Sequence, residues 1–217
     1  MADSLEKQTA SDAALLDRAI GGSGEALDQL LALHRSRLHR MVSLRMDRHL
    51  QGRLDASDVI QDAFVEALQR FPEYVKTPKT SFFLWLRFLT RQKLITLYRH
   101  HVGALARDAR KEVAIEARSG SMATSEGLAA QLLATETSPS RAAVREEVKA
   151  EVQTALGGLE PLDREVLALR HFEHLSNAEV AEELGITKAA ASKRYIRAAQ
   201  RLKGVLALLR QQGARLG

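Results

Sequence analysis

The chain has 217 residues, no cysteine, a formal charge of +5 and a sequence pI near 9.7. Disulfides, thiol catalysis and cysteine-based zinc sites are excluded, and no apolar run approaches the roughly 20 residues of a membrane span. The start MADSLEKQTASDA is polar and acidic, unlike a secretory signal, and with only 13 glycines and 4 prolines the composition predicts a cytoplasmic, mostly helical protein.

In chain order, residues 1–11 are expected to be a disordered tail. Helices are predicted over Asp12 to Ile20 and Glu25 to Arg48, broken by Gly21-Gly22-Ser23-Gly24. The second carries Leu27, Leu30, Leu31, Leu38, Met41 and Val42 at helical spacing. A third helix is predicted from Ser57 to Arg70, with Ile60, Phe64, Ala67, Leu68 and Phe71 as its apolar stripe and Pro72 as its stop. Ser81 can cap a fourth, Phe82 to His101. Residues 102–143 contain no aromatic side chain and read as a long flexible linker with short Ala- and Leu-containing pieces. Helical patterning returns from Ala142. One helix ends at Gly157-Gly158, Pro161 starts another, and Ser176-x-x-Glu179 is a capping box for a short helix to Leu184. Gly185 turns the chain, Thr187 caps a final helix to Leu209, and residues 211–217 form a tail. The fold class is therefore all-α: two small helical domains, 12–101 and 144–210, joined by a linker.

Charge alternates along the chain. Residues 34–53 carry six arginines against Asp47, and residues 54–73 carry five acids against Arg70. Residues 82–111 hold seven bases and one acid, residues 144–183 ten acids and four bases, and residues 186–217 eight bases and no acid. Single charge runs are usually solvated faces. Separated positive stripes are the footprint of a nucleic-acid binder, and the acidic blocks suit a basic protein surface.

The C-terminal short helix, glycine turn and long helix form a helix-turn-helix pattern. Val180, Ala181, Leu184, Ile186, Ala191, Tyr195 and Ala198 have the spacing to pack it, and Lys188, Ser192, Lys193, Arg194 and Arg197 lie on the opposite face. Such cations and a hydroxyl bond base edges and phosphates. Eight of the ten aromatics fall between positions 64 and 98. Some must be core. Interleaved with Arg87, Arg91, Lys93, Arg99, His100 and His101, others have the composition that stacks and tracks single-stranded nucleic acid.

DASDVIQDAFVEALQRF resembles the D-x-x-Q-x-x-F helix of bacterial RNA polymerase sigma factors of the extracytoplasmic-function (ECF) group. SFFLWLRFLTRQKLITLYRHH resembles that group's F-x-x-W-L-x-x-I-A-x-N-x-x-x-D-x-x-R segment. LEPLDREVLALRHF, followed by LSNAEVAEELGI, resembles its C-terminal domain. The resemblance covers about residues 12–101 and 142–210.

It implies a sigma region 2-like domain, a region 4-like domain and partnership with core RNA polymerase and promoter DNA. Asp58, Gln61, Asp62, Phe64 and Glu66 fall on the helix that in the family docks the largest polymerase subunit. Trp85, Arg87, Arg91, Gln92, Lys93 and Arg99 fall on the segment that recognises and opens the minus-ten element. The Lys188, Ser192, Lys193, Arg194 and Arg197 helix would read the minus-thirty-five element. An anti-sigma partner is common in the family. The family's Asn is Gln92 here, its Asp is Thr96, and Ser192 replaces a frequent cation. No cofactor, metal or membrane partner is expected. Phosphate-loop, dinucleotide and nucleophile-elbow patterns are missing, His171 and His174 lack a further local ligand, and Asp58 and Asp62 read as an exposed acidic face. The expected function is non-enzymatic transcription initiation. A stand-alone helix-turn-helix regulator is the other reading.

Overall fold

The structure, a computed structural model, describes residues 2–46, 55–103, 122–133 and 142–213. Among these residues there are nine α-helices and no strand. Helix α1 spans Ala2–Ile20, α2 Gly24–Arg45, α3 Ala56–Lys76 and α4 Phe82–Gly103. Helix α5 is Ser125–Leu133, α6 Ala142–Gly157 and α7 Pro161–Leu167, which continues as a π-turn over Ala168–Phe172. Helix α8 is Asn177–Leu184 and α9 Lys188–Gly213. No helix among the described residues is long and apolar enough to cross a membrane.

Side chains close the helix starts, at Ser81 and Ser176 as predicted and at Ser23 and Asp55 in addition. The Ser23 hydroxyl accepts from Ala26 N (3.3 Å), Asp55 from Ser57 N (2.8 Å) and Ser81 from Leu84 N (3.4 Å), each satisfying an amide that the first helical turn leaves open. Ser176 and Glu179 form the reciprocal capping box. Gly185 then adopts φ 62°, the left-handed region in which a side chain is costly.

Three boundaries differ from the sequence reading. The first helix begins at Ala2, within the segment expected to be a tail. The second ends at Arg45, and the last two residues of its expected extent, 47 and 48, fall in the stretch 47–54 that lies outside the described residues. Pro72 does not stop α3, which runs on to Lys76. The proline is on the exposed face, while Phe71 and Tyr74 are buried beside it and the Tyr74 hydroxyl donates to Thr80 O (3.1 Å). Tertiary packing of that turn outweighs the one backbone hydrogen bond a proline removes.

Helices α1–α4 form an N-terminal lobe, α6–α9 a C-terminal lobe. The apolar cores do not respect that division. Leu30, Leu38, Met41, Ile60, Leu86 and Leu89 share one buried cluster with Val166, Leu169, Leu175 and Val180 of the second lobe. A second cluster joins Leu44 of α2 to Leu128, Ala129, Val152, Leu156, Leu167 and Leu202. Helix α5, inside the expected linker, supplies Leu128 and Ala129 and packs on both α2 and α6. The remaining linker residues, 104–121 and 134–141, lie outside the described residues, as does the end of the C-terminal tail.

Candidate nucleic-acid and polymerase interface

The α3 helix buries Val59, Ile60, Ala63, Ala67 and Phe71 at helical spacing, which leaves the other side to solvent. Asp58, Gln61 and Asp62 are exposed there, and Phe64 is half-buried against the core. Val65 and Leu68 are also exposed, at 51% and 45%. Glu66 pairs with Arg70 (3.0 Å) within the helix and with Lys93 of α4 (3.5 Å). Asp62, Val65, Glu66, Gln69, Arg70 and Lys93 line one groove of about 440 Å³. The result is an acidic, amide-bearing face with an apolar centre.

The start of α4 is aromatic packing. Trp85 is half-buried and stacks on Tyr74 with ring centroids 4.7 Å apart, beside Phe82 at 5.6 Å. Gln92 and Arg99 are exposed, and Lys93 is half-buried.

Arg87 was expected on a DNA-facing strip, and the structure places it elsewhere. Its side chain is fully buried between the lobes. Nε donates to Glu173 Oε2 (2.8 Å), while Nη1 lies 2.5 Å from Glu183 Oε1 and Nη2 lies 3.5 Å from Glu165 Oε1. Arg45, also fully buried, reaches Glu165 and Glu173 (2.6 Å to the latter) and donates to Met41 O (2.9 Å). Arg91 meets Glu183 at 3.5 Å. Burial alone would raise the Glu173 carboxyl, but the guanidiniums of Arg45 and Arg87 overcome it and hold that group down at about 2. Burial likewise disfavours the charged form of Arg87, and Glu173, Glu183 and Glu165 reverse that, leaving it more basic than usual.

The sequence reading missed Arg45, Glu165, Glu173 and Glu183. The signal was present in the opposite signs of the 34–53 and 144–183 blocks, but nothing in either block specified that they meet. Two further arginines fasten the lobes: Arg40 donates to Phe172 O (2.9 Å), and Arg37 donates to Glu173 O (3.2 Å) while lying over the Phe83 ring at 3.5 Å.

In the C-terminal lobe α8 and α9 form the helix-turn-helix. Val180, Ala181, Ala191 and Ala198 are buried, with Leu184, Ile186 and Tyr195 half-buried against them. Thr187 caps α9 by accepting from Ala190 N (3.1 Å). Lys188, Ser192 and Lys193 are exposed on its first two turns. Arg194 and Arg197 instead turn toward α7: each contacts buried Asp163, at 2.6 and 2.7 Å, and Glu160, at 3.2 and 3.5 Å. Burial pushes the Asp163 carboxyl up, but hydrogen bonds from Arg197 and Arg194 bring it below its usual value. Among the described residues no three His, Asp or Glu side chains are grouped to hold a metal ion.

Comparison with known proteins gives two family matches. Residues 30–102 match sigma-70 region 2, and residues 149–202 match sigma-70 region 4. No curated protein sequence gives a significant match. Among solved structures the chain is similar to CnrH in complex with the cytosolic domain of CnrY, at 25% identity and a TM-score of 0.54, covering 91% of this chain and 98% of that one. It is also similar to the sigma factor RpoE of Bartonella quintana in complex with the anti-sigma factor NepR, at 18% identity and a TM-score of 0.48, covering 83% and 96%.

Proposed function

The chain belongs to the sigma-70 family of RNA polymerase sigma factors, in the ECF group, and from that premise we propose how its residues share the work of using a promoter. Such a factor binds core RNA polymerase and directs promoter-specific initiation. A stand-alone regulator is not favoured, because region 2 accompanies region 4 in the same chain.

In this reading α3 docks the polymerase through Asp58, Gln61, Asp62 and Glu66. Exposed Val65 and Leu68 support it, since a stable contact needs an apolar centre inside its charged rim. Phe64 sets the helix against the core and acts through that support. The α4 strip of Trp85, Arg91, Gln92, Lys93 and Arg99 handles the minus-ten element, joined by Arg87 once it leaves its buried carboxylates. Rings offer stacking surfaces for unpaired bases and cations follow the phosphates. Lys188, Ser192 and Lys193 meet duplex DNA in the major groove, while Arg194 and Arg197, tethered to Asp163, fix the helix in position and reach the backbone. The factor positions DNA and polymerase, performs no bond chemistry itself, and works in the cytoplasm. The similarity to CnrH, solved with CnrY, supports a protein partner that binds the factor, an anti-sigma factor in the family's terms.

The observation that carries the DNA assignment is the capped helix-turn-helix whose second helix exposes Lys188, Ser192 and Lys193 together. Run-off transcription with purified core polymerase and a promoter library tests it. A promoter-dependent transcript that requires this chain is expected, and Asp62→Arg should weaken polymerase binding at least several-fold with the fold intact. No transcript from any library member sinks the reading.

A further inference from the structure

The buried cluster between the lobes is balanced. Among the described residues its cations are Arg45, Arg87 and Arg91, all from the N-terminal lobe, and its anions are Glu165, Glu173 and Glu183, all from the C-terminal lobe. Pulled apart, one lobe would present a cationic triad and the other an anionic one. The cationic triad would then seek anions, and nucleic-acid phosphate is the anion its strip is read as meeting. The glutamates thus occupy Arg87 and Arg91 as phosphates would.

The segment 122–133 fastens this arrangement from the side. Thr124 N donates to Leu44 O (3.0 Å), on α2 one residue before Arg45. Ala123 N donates to Glu165 Oε2 (2.6 Å), taking the carboxylate oxygen that the arginines leave over. Arg164 Nε donates to Ala123 O (3.1 Å). Leu128 and Ala129 are fully buried in the second core. Gly127 lies so close to α2 that a Cβ there would sit 2.5 Å from Leu44 O and 2.9 Å from Leu44 Cα. Only glycine permits that approach. One short stretch therefore bonds to both lobes and to the ionic cluster itself.

We propose that residues 122–133 are a clasp that holds the free factor closed, with Arg87 and Arg91 committed to Glu165, Glu173 and Glu183, and that the clasp must release before the α4 strip can engage promoter DNA. The occlusion half rests on the reading of Arg87 and Arg91 as nucleic-acid contacts; the closure half does not.

The chain has no cysteine, so Lys79→Cys and Gln200→Cys, both at exposed positions, place one spin label in each lobe of the full chain. Pulsed electron paramagnetic resonance then reads the distance between lobes, and fluorescence anisotropy reads binding of a random-sequence single-stranded DNA 12-mer. The unaltered chain should give one narrow distance. Gly127→Val, which touches neither the ionic cluster nor the exposed cations, should broaden and lengthen it and tighten 12-mer binding about tenfold, as expected when a competent state rises from a minor to a major population. Circular dichroism checks that helicity is kept. If Gly127→Val fails to fold, Glu183→Gln, which weakens the same closure from the other lobe, should give the same two changes. A broad, long distribution in the unaltered chain overturns the proposal, as does an unchanged distance in whichever variant folds. A longer distance with no gain in binding overturns occlusion and, with it, the assignment of Arg87 and Arg91 to DNA, while leaving the clasp standing. Loss of the gain on adding Arg91→Ala confirms that the freed cations cause it.

Discussion

Two helices in this molecule carry the positive strips expected to meet DNA, and the fold treats them differently. On α9 the cations are exposed at Lys188 and Lys193 or paired within their own lobe at Arg194 and Arg197. On α4, Arg87 is fully buried and Arg91 half-buried, and both are matched by carboxylates of the opposite lobe. The first strip is available whatever the lobes do. The second depends on their separation. The sign of a helix is thus a property of the sequence, whereas what neutralises it is a property of the assembled fold.

Removing one carboxylate from each arrangement exposes the difference. Glu173→Ala leaves Arg45 and Arg87 fully buried without that partner, so it should cost about 3–5 kcal/mol, the range for breaking a buried ion pair. Asp163→Ala removes a buried carboxylate too, but its partners Arg194 and Arg197 are 29% and 45% exposed and can turn into solvent. Its cost should stay near 1 kcal/mol. Urea unfolding of the two variants measures both. Equal costs would mean that the α4 cluster is as hydrated as the α9 pair.

A pH titration separates the lobes in another way. His34 is 1% exposed, packed against Phe82 and Phe83, with Asp12 at 3.6 Å. Burial, helped by the nearby Arg37 charge, lowers it from 6.5 to about 4. The unfolded chain therefore takes up this proton first, so His34 has no effect well above pH 6.5 and destabilises the fold as pH falls from 6.5 to 4. The loss over that window is about 3 kcal/mol. Glu173, held at about 2, contributes stability that is full above 4.5 and drains only toward pH 2, so the two transitions lie apart. His34→Leu should flatten the upper one. A slope that survives the substitution would place the proton elsewhere.

Much of this fold was readable in advance because its signals are local. The capping box at Ser176 and Glu179 and the turn at Gly185 need only residues within one or two turns, and each is present as expected. Of the stripe expected on α3, Ile60, Ala67 and Phe71 are buried, Phe64 is half-buried and Leu68 is exposed instead. Pro72 misled because Phe71 and Tyr74 anchor a turn that propensity alone would end. The site was half legible. Exposed Asp58, Asp62, Lys188 and Lys193 sit where helical periodicity puts them. The pairing of Arg45 with Glu173 spans 128 positions, and no local pattern encodes it. Helix α5 was legible only as one of the short Ala- and Leu-containing pieces of the linker: SEGLAAQLL is a weak helix by itself and gains its place from Leu44 and α6, which no local pattern encodes.

The exposed strip should show its character in salt. Lys188→Ala with Lys193→Ala should reduce the salt-dependence slope of duplex promoter binding by up to about 1.8, two phosphates at roughly 0.9 each, without changing unfolding. Anisotropy titrations between about 50 and 200 mM salt read the slope. An unchanged slope would remove these lysines from the backbone contact and leave Arg194 and Arg197 to supply it.

The smallest effect concerns the turn that aims this strip. Gly185 sits at φ 62° with nothing within 4 Å of a would-be Cβ, so a side chain there meets no neighbour and only the backbone preference is tested. Gly185→Ala should cost about 1 kcal/mol, and Gly185→Asn less, because asparagine tolerates the left-handed region. Gly127 is the opposite case: nothing in its own backbone dihedrals demands glycine, and the obstacle is Leu44. Gly185→Ala should therefore lower the unfolding midpoint while leaving the distance between the lobes unchanged. A shift in that distance would mean that the turn of the helix-turn-helix is coupled to closure, and the α9 strip would lose the independence from lobe separation that distinguishes it from α4.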